Sequence, residues 1–129
     1  MRKSLVISLC ILSACMAQAQ TAGDYYKRAV VKFKNKDYGG AITEYSRAIG
    51  VNNNSAILFN NRGVCKFRLE QYSDAIKDYD QSIAIDSNLS HAYYNKGNSL
   101  MGIYEFEKAL VCYDATIRLD SSYKKAYIN

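Results

Sequence analysis

The sequence predicts an all-α fold, an α-solenoid of antiparallel helix pairs. Three observations predict it. First, one pattern recurs at a fixed offset, the step from Ala41 to Ala75 being the same as that from Ala75 to Ala109. These alanines each precede an aliphatic residue (Ile42, Ile76, Leu110), and each has a tyrosine four positions later (Tyr45, Tyr79, Tyr113). An aromatic stands three positions before each (Tyr38, Tyr72, Phe106), and another opens each unit (Tyr25, Phe59, Tyr93), four residues ahead of Ala29, Gly63 and Gly97. Second, each unit holds two apolar runs of helical spacing, separated by a short polar break. Third, the 129 residues contain no proline, so nothing interrupts helices inside the runs.

Residues 56–89 show the physics of one unit. Leu58, Phe59, Val64, Cys65, Phe67 and Leu69 form one helical face, and Glu70-Gln71 breaks it. Tyr72, Ala75, Ile76, Tyr79, Ile83 and Ile85 form the next. Two short helices joined tightly make an antiparallel hairpin. Small residues at 63 and 75 let the backbones approach. One hairpin cannot bury its apolar face alone, so stacking of neighbours at the same period completes the core.

At this point the chain resembles the tetratricopeptide repeat family. The resemblance rests on the small residue after an aromatic (Phe59 to Gly63), the Ala75-Ile76 step, the aromatic at Tyr79 and the length of the repeat period. It covers residues 22–123. The family usually opens its unit with Trp and closes it with Pro. Here Tyr or Phe opens it, and Asn53, Ser87 and Ser121 stand where Pro is usual. Asn and Ser still end helices, by competing for backbone groups.

In order, residues 1–19 read as a signal peptide. Arg2 and Lys3 precede the apolar run Leu5–Ala14, which is far short of the roughly 20 residues that span a bilayer. Ala17-Gln18-Ala19 is a small-residue cleavage site that gives a mature chain from Gln20. A second route competes with it. Leu12-Ser13-Ala14-Cys15 resembles a bacterial lipoprotein box, in which Cys15 is lipidated. The repeat domain then occupies 20–129.

Unit one spans about 22–55. Thr21 or Asp24 can cap its first helix, over about 24–35. Lys36-Asp37 makes the turn, and the second helix covers about 38–50. The polar run Asn52–Ser55 is expected to cap unit two, at about 56–89. Asp86-Ser87-Asn88 ends that unit. Unit three, about 90–123, reads HAYYNKGNSL, turns near Ile103-Tyr104 and continues EFEKALVCYDATIRL. Residues 124–129, KKAYIN, begin a fourth unit and stop before its small residue. A solenoid's last apolar face needs cover. Either a longer repeat protein continues here or a partner covers that face; continuation is the expectation.

Cys10 and Cys15 belong to the leader, which leaves Cys65 and Cys112 in the repeats. Export would permit a disulfide, but both sit among apolar neighbours, so two buried thiols are expected. His91 is the only histidine, and no cysteine pair has ligand spacing, so neither a metal nor a cofactor is expected. Asp74, Asp78, Asp80 and Asp86 are read as spread around a solvated helix face, with no catalytic pair among them. The chain is therefore read as a non-enzyme.

Charge is unevenly placed. Residues 20–129 carry 15 basic and 12 acidic side chains, net +3. The first helices, with Glu70, sum to +6; the second helices and their flanking turns sum to −5. In the resembled family the first helices line the concave face. The resemblance therefore implies a mildly basic groove on an acidic shell, suited to acidic or carboxylate-ended peptides. Nucleic acid is not expected, since no basic run is dense enough.

The resemblance also places the groove residues. They are Tyr26, Val30, Phe33 and Lys34 in unit one. In unit two they are Asn60, Asn61, Val64, Phe67 and Arg68. In unit three they are His91, Tyr94, Asn95, Asn98 and Met101. Asparagines offer donors and acceptors to an extended backbone. One branch of the family clamps the acidic C-terminus of chaperones with Lys, Arg and two Asn. Here Asn61 matches, but Tyr26, Val30, His91 and Asn95 occupy the other places, so that activity does not carry over.

The expected function is an exported scaffold that binds a protein or peptide in its groove, in the periplasm or secreted. The alternative is a lipid-anchored subunit of a cell-envelope assembly, membrane-bound only through Cys15. A third reading is an accessory repeat region of a longer enzyme.

Overall fold

The computed structural model describes residues 19–121. The leader residues up to 18, with Cys15 and most of the cleavage site, and the partial unit at 124–129 lie outside them. Among the described residues six helices follow one another: α1 (Ala22–Lys34), α2 (Tyr38–Val51), α3 (Ala56–Arg68), α4 (Tyr72–Ile85), α5 (Ser90–Gly102) and α6 (Phe106–Leu119). No strand occurs among the described residues. The pairs α1–α2, α3–α4 and α5–α6 are the three hairpins. α2 packs on α3, α4 on α5, and α3 on α5, so the units stack in chain order.

The turns within the hairpins repeat in backbone detail. Lys36, Glu70 and Tyr104, one repeat period apart, adopt φ of 60°, 60° and 64°. Around each, two backbone N–H groups reach back to the preceding helix. Lys36 donates to Phe33 O and Asp37 to Lys32 O. Glu70 donates to Phe67 O and Gln71 to Lys66 O. Tyr104 donates to Met101 O and Glu105 to Leu100 O. These are Schellman closures, which satisfy the last carbonyls of a helix and usually place glycine at the left-handed residue. Here that residue carries a side chain in all three units.

The starts of the helices differ more. Thr21 and Asp24 form a reciprocal capping box: Thr21 Oγ1 accepts from the Asp24 N–H, and the Thr21 N–H donates to Asp24 Oδ2 at 2.9 Å. α1 consequently begins two residues before its expected start. Asp37 accepts from the Gly40 N–H and caps α2. Ser55 makes no side-chain cap to α3. The expectation that the Asn52–Ser55 run caps unit two is corrected: Asn52 Oδ1 accepts from the Asn54 N–H, which closes a local Asx turn ahead of the helix.

The core is built from small residues with tyrosines laid across them. Ala29, Ala41, Tyr45, Ala48, Leu58 and Cys65 join units one and two, with Tyr38, Ile42 and Ile49 packed against them. Leu100, Ala109 and Cys112 form a second cluster, with Ile76 and Tyr113. A Cβ placed on Gly63 would stand 2.7 Å from the Tyr79 ring, and one on Gly97 2.6 Å from the Tyr113 ring. Glycine at these positions therefore admits the tyrosine of its own hairpin. Cys65 and Cys112 are free, buried thiols, as their apolar neighbours implied.

The last unit lacks a successor among the described residues. Tyr38 and Ile42 of α2 are half-buried against the core that joins units one and two. Their counterparts on α6, Phe106 and Leu110, are 55% and 51% exposed.

Candidate functional site

The first helices α1, α3 and α5 carry the predicted groove residues. None of these is fully buried. Lys34, Arg68, His91 and Met101 are exposed, and Tyr26, Val30, Phe33, Asn60, Asn61, Val64, Phe67, Tyr94, Asn95 and Asn98 are half-buried.

The aromatics are fixed in place by ring contacts. The Tyr26 ring meets Tyr45 edge-on at 6.0 Å between centroids, and Tyr94 meets Tyr113 at 6.0 Å with the planes tilted by 50°. Phe33 packs edge-on to Tyr38 at 5.4 Å, and Phe67 to Tyr72 at 5.5 Å. Such pairs hold rings in one orientation. Each presents a preset apolar wall.

The asparagines are tied together across the units. Asn95 Nδ2 donates to Asn60 Oδ1 at 3.1 Å, and Asn60 Nδ2 donates to Asn61 Oδ1 at 3.4 Å. The Tyr45 hydroxyl, reaching from α2, shares a hydrogen bond with Asn61. In unit three the Tyr113 hydroxyl donates to Asn98 Oδ1 at 2.7 Å. The two tyrosines thus deliver polar tips from the second helices to the face of the first. Sequence reasoning treats Tyr45 and Tyr113 as packing residues only. Their recurrence at the repeat period, four positions after each alanine, is the signal that marks them.

The electrostatic expectation is corrected in part. Most cations of the first helices do not face the groove unpaired. Arg28 Nε meets Glu44 Oε2 at 3.0 Å, and Lys32 meets Asp37. Arg62 makes a bidentate contact with Asp78, which Lys66 Nζ also reaches at 2.9 Å. Lys96 Nζ lies 2.6 Å from Asp80 Oδ1. These pairs join first helices to second helices. Arg68 and Lys34, at the ends of α3 and α1, are exposed and make no ion pair among the described residues. Among the predicted groove residues they are the cations left to a ligand. The carboxylate expectation also changes. Asp78 is not on a solvated face but 3% exposed, held by its two cations.

Residues 56–89 match the tetratricopeptide repeat family profile. That matched unit is a tetratricopeptide repeat, and the chain stacks three helix pairs of this kind. No curated protein sequence matches it. Solved tetratricopeptide-repeat structures do. The Arabidopsis OM64 domain superposes with a TM-score of 0.81 at 20% identity, over 84% of this chain and 89% of that one. The second domain of human RPAP3, in complex with the HSP70 peptide SGPTIEEVD, gives 0.80 at 26% identity, over 83% and 89%. MamA gives 0.82 at 21% identity, over 89% of this chain and 67% of that one. The repeats at 22–55 and 90–123 have the same helix pair and turn as the matched unit.

Proposed function

We propose that this tetratricopeptide-repeat protein is an exported scaffold that holds an extended peptide segment across α1, α3 and α5. One observation supports it most: the asparagine chain Asn95–Asn60–Asn61 runs across two units beside fixed aromatic walls and the exposed Arg68. Asparagine side chains in such a row offer donors and acceptors at intervals to a peptide backbone. Arg68 offers a fork of donors to a carboxylate, and Lys34 a second charge. The similarity to a domain that carries SGPTIEEVD supports a peptide ligand. The clamp residues of chaperone-binding relatives are not reproduced at Tyr26, Val30, His91 and Asn95, so a different acidic or carboxylate-ended sequence is the expected ligand.

Asn61 is engaged with Tyr45, so truncating it would disturb packing as well as binding. Arg68 and Lys34 are the cleaner probes. A displayed library of random nonapeptides with free C-termini is selected on the protein. Arg68→Ala with Lys34→Ala should weaken a selected peptide by about 1.5–3 kcal/mol, the range for hydrogen bonds to charged groups, and leave the melting temperature unchanged. Unchanged affinity at low and moderate salt would place the ligand on another face. Export is the companion proposal, supported by the leader of residues 1–19. Intact-mass analysis after bacterial expression should show a chain beginning at Gln20. A diacylglycerol adduct on Cys15 would instead make this an anchored envelope subunit.

A further inference from the structure

The two ends of the stack carry the two halves of one further seam. Inside the stack, each second helix meets the next first helix through a polar contact. Arg62 Nη1 of α3 donates to Ser46 Oγ of α2 at 3.1 Å, and Lys96 Nζ of α5 lies 2.6 Å from Asp80 Oδ1 of α4. Both contacts join the same two repeat places. Carried one period further, the series Ser46, Asp80 reaches Asp114 on α6. Carried one period back, the series Lys96, Arg62 reaches Arg28 on α1. Asp114 is exposed and pairs with no group among the described residues. Arg28 repeats the posture of Arg62. Its Nε donates to Glu44, the counterpart of Asp78, at 3.0 Å. Its Nη2 donates to Gln20. Its Nη1, the atom that Arg62 sends to the preceding unit, has no partner among the described residues.

The loops at 52–55 and 86–89 are short, so α2–α3 and α4–α5 run antiparallel. That direction fixes what else would meet where α6 faces another α1. One turn past Asp114 stands Arg118, and one turn before Arg28 stands Asp24. Arg118 is exposed and unpaired among the described residues, and Asp24 Oδ1 takes no part in the capping box. The interior seams hold Gly50 with Leu58 and Ala84 with Ala92 at this place, so opposite charges stand there only at the ends. In the other direction Val111 meets Val31, and Leu110 meets the stem of Lys32. The two valines are 64% and 58% exposed, whereas Cys65 and Ser99, in the place of Val31 in the later units, are fully buried. We propose that α6 of one copy receives α1 of a second copy, head to tail, in the register of the interior seams. Two opposite-charge pairs flank a valine contact in that register, which selects a second copy over an arbitrary apolar partner. The contact is heterologous, so it adds copies one after another instead of ending at a symmetric pair.

The test is sedimentation velocity on the purified protein at rising concentration. Species beyond the dimer should appear as the concentration approaches about 1 mM. Asp114→Arg with Arg118→Asp blocks the α6 end, and Val31→Glu blocks the α1 end. All three side chains are exposed, so both variants should keep the melting temperature of the parent. Each alone should associate at least tenfold more weakly. Mixed, the two should form a one-to-one dimer that grows no further, since each supplies the end that the other lacks. Its dissociation constant should lie within threefold of the first step of the parent. A parent that stays monomeric, its α6 face covered by residues 122–129 or by another protein, would overturn the assignment. Association that stops at a symmetric dimer would do the same, as would undiminished association of either folded variant or a mixture that stays monomeric.

Discussion

Arg62 Nε donates to Asp78 Oδ2 at 2.9 Å while its Nη2 donates to Asp78 Oδ1 at 2.7 Å, a fork-to-fork contact that fastens α3 to α4. Asp78 is almost fully buried, and the arginine side chain is only 19% exposed. Removing one partner of a buried pair typically costs about 3–5 kcal/mol, because the other charge is left without compensation. Arg62→Ala should fall at the lower end, about 3 kcal/mol, since Lys66 still neutralises the carboxylate. Arg62→Ala combined with Lys66→Ala should cost more than the sum of the two single changes, because only the pair of changes strands Asp78. Denaturant melts of the four proteins give the coupling directly.

Ala75 has no exposed surface. Ala75→Leu would add three heavy atoms to a filled contact, at a cost of about 1–3 kcal/mol. Lys77, two positions on, points its side chain to solvent, paired only loosely with Asp74 at 3.4 Å. Lys77→Leu should cost well under that. Thermal melts that place both variants with the parent would disprove the packing of α3 on α4.

Glu70 occupies a left-handed backbone conformation that costs a side-chain-bearing residue roughly 1–2 kcal/mol and glycine almost nothing. Glycine gives back part of that through the greater freedom of the unfolded chain. Glu70→Gly should therefore stabilise the protein by about 0.5–1 kcal/mol. Glu70→Val should destabilise it, because a β-branched residue fits that conformation worst. Urea midpoints at constant slope would check both signs.

The buried acids set the alkaline limit. Burial pushes the Cys65 thiol from 9.0 up to about 12 and the Tyr45 phenol from 10.0 to about 12. Burial also raises Cys112 and Tyr79. The folded state thus holds these protons more tightly than the unfolded chain does. Their contribution is intact below about pH 9, where the unfolded thiol ionises, and disappears as pH climbs towards 12. Melting temperature should stay level up to about pH 9 and fall beyond it. Cys65→Ala should soften the first part of that fall. A level profile to about pH 12 would show that these groups are not buried in solution.

The periodic elements were legible because packing enforces them. Ala41, Ala75 and Ala109 recur since a larger side chain cannot occupy the crossing, and the tyrosines recur since Gly63 and Gly97 leave room for their rings. The proposed groove residues come instead from the family resemblance. Pairing could not be read from the period. Arg62 counts as a groove cation in a tally of helix charge, whereas its long side chain reaches sideways to Ser46 and Asp78. Asn61 is a groove residue by the resemblance, yet Tyr45 engages it from a different helix. Such contacts depend on side-chain reach between units, which a one-dimensional pattern does not encode. The left-handed turns were hidden as well, because Lys36, Glu70 and Tyr104 carry none of the glycine that signals them.

The ion cluster at Arg62 spans units one and two, and the next seam has only the Lys96–Asp80 contact in its place. In a stacked array, stability is a sum of unit terms and nearest-neighbour terms, so a weak seam sets where the array comes apart. Units one and two should behave as one cooperative block and unit three as the fraying end. Amide protons of α5 and α6 should exchange through partial openings, ahead of those of α1 to α4.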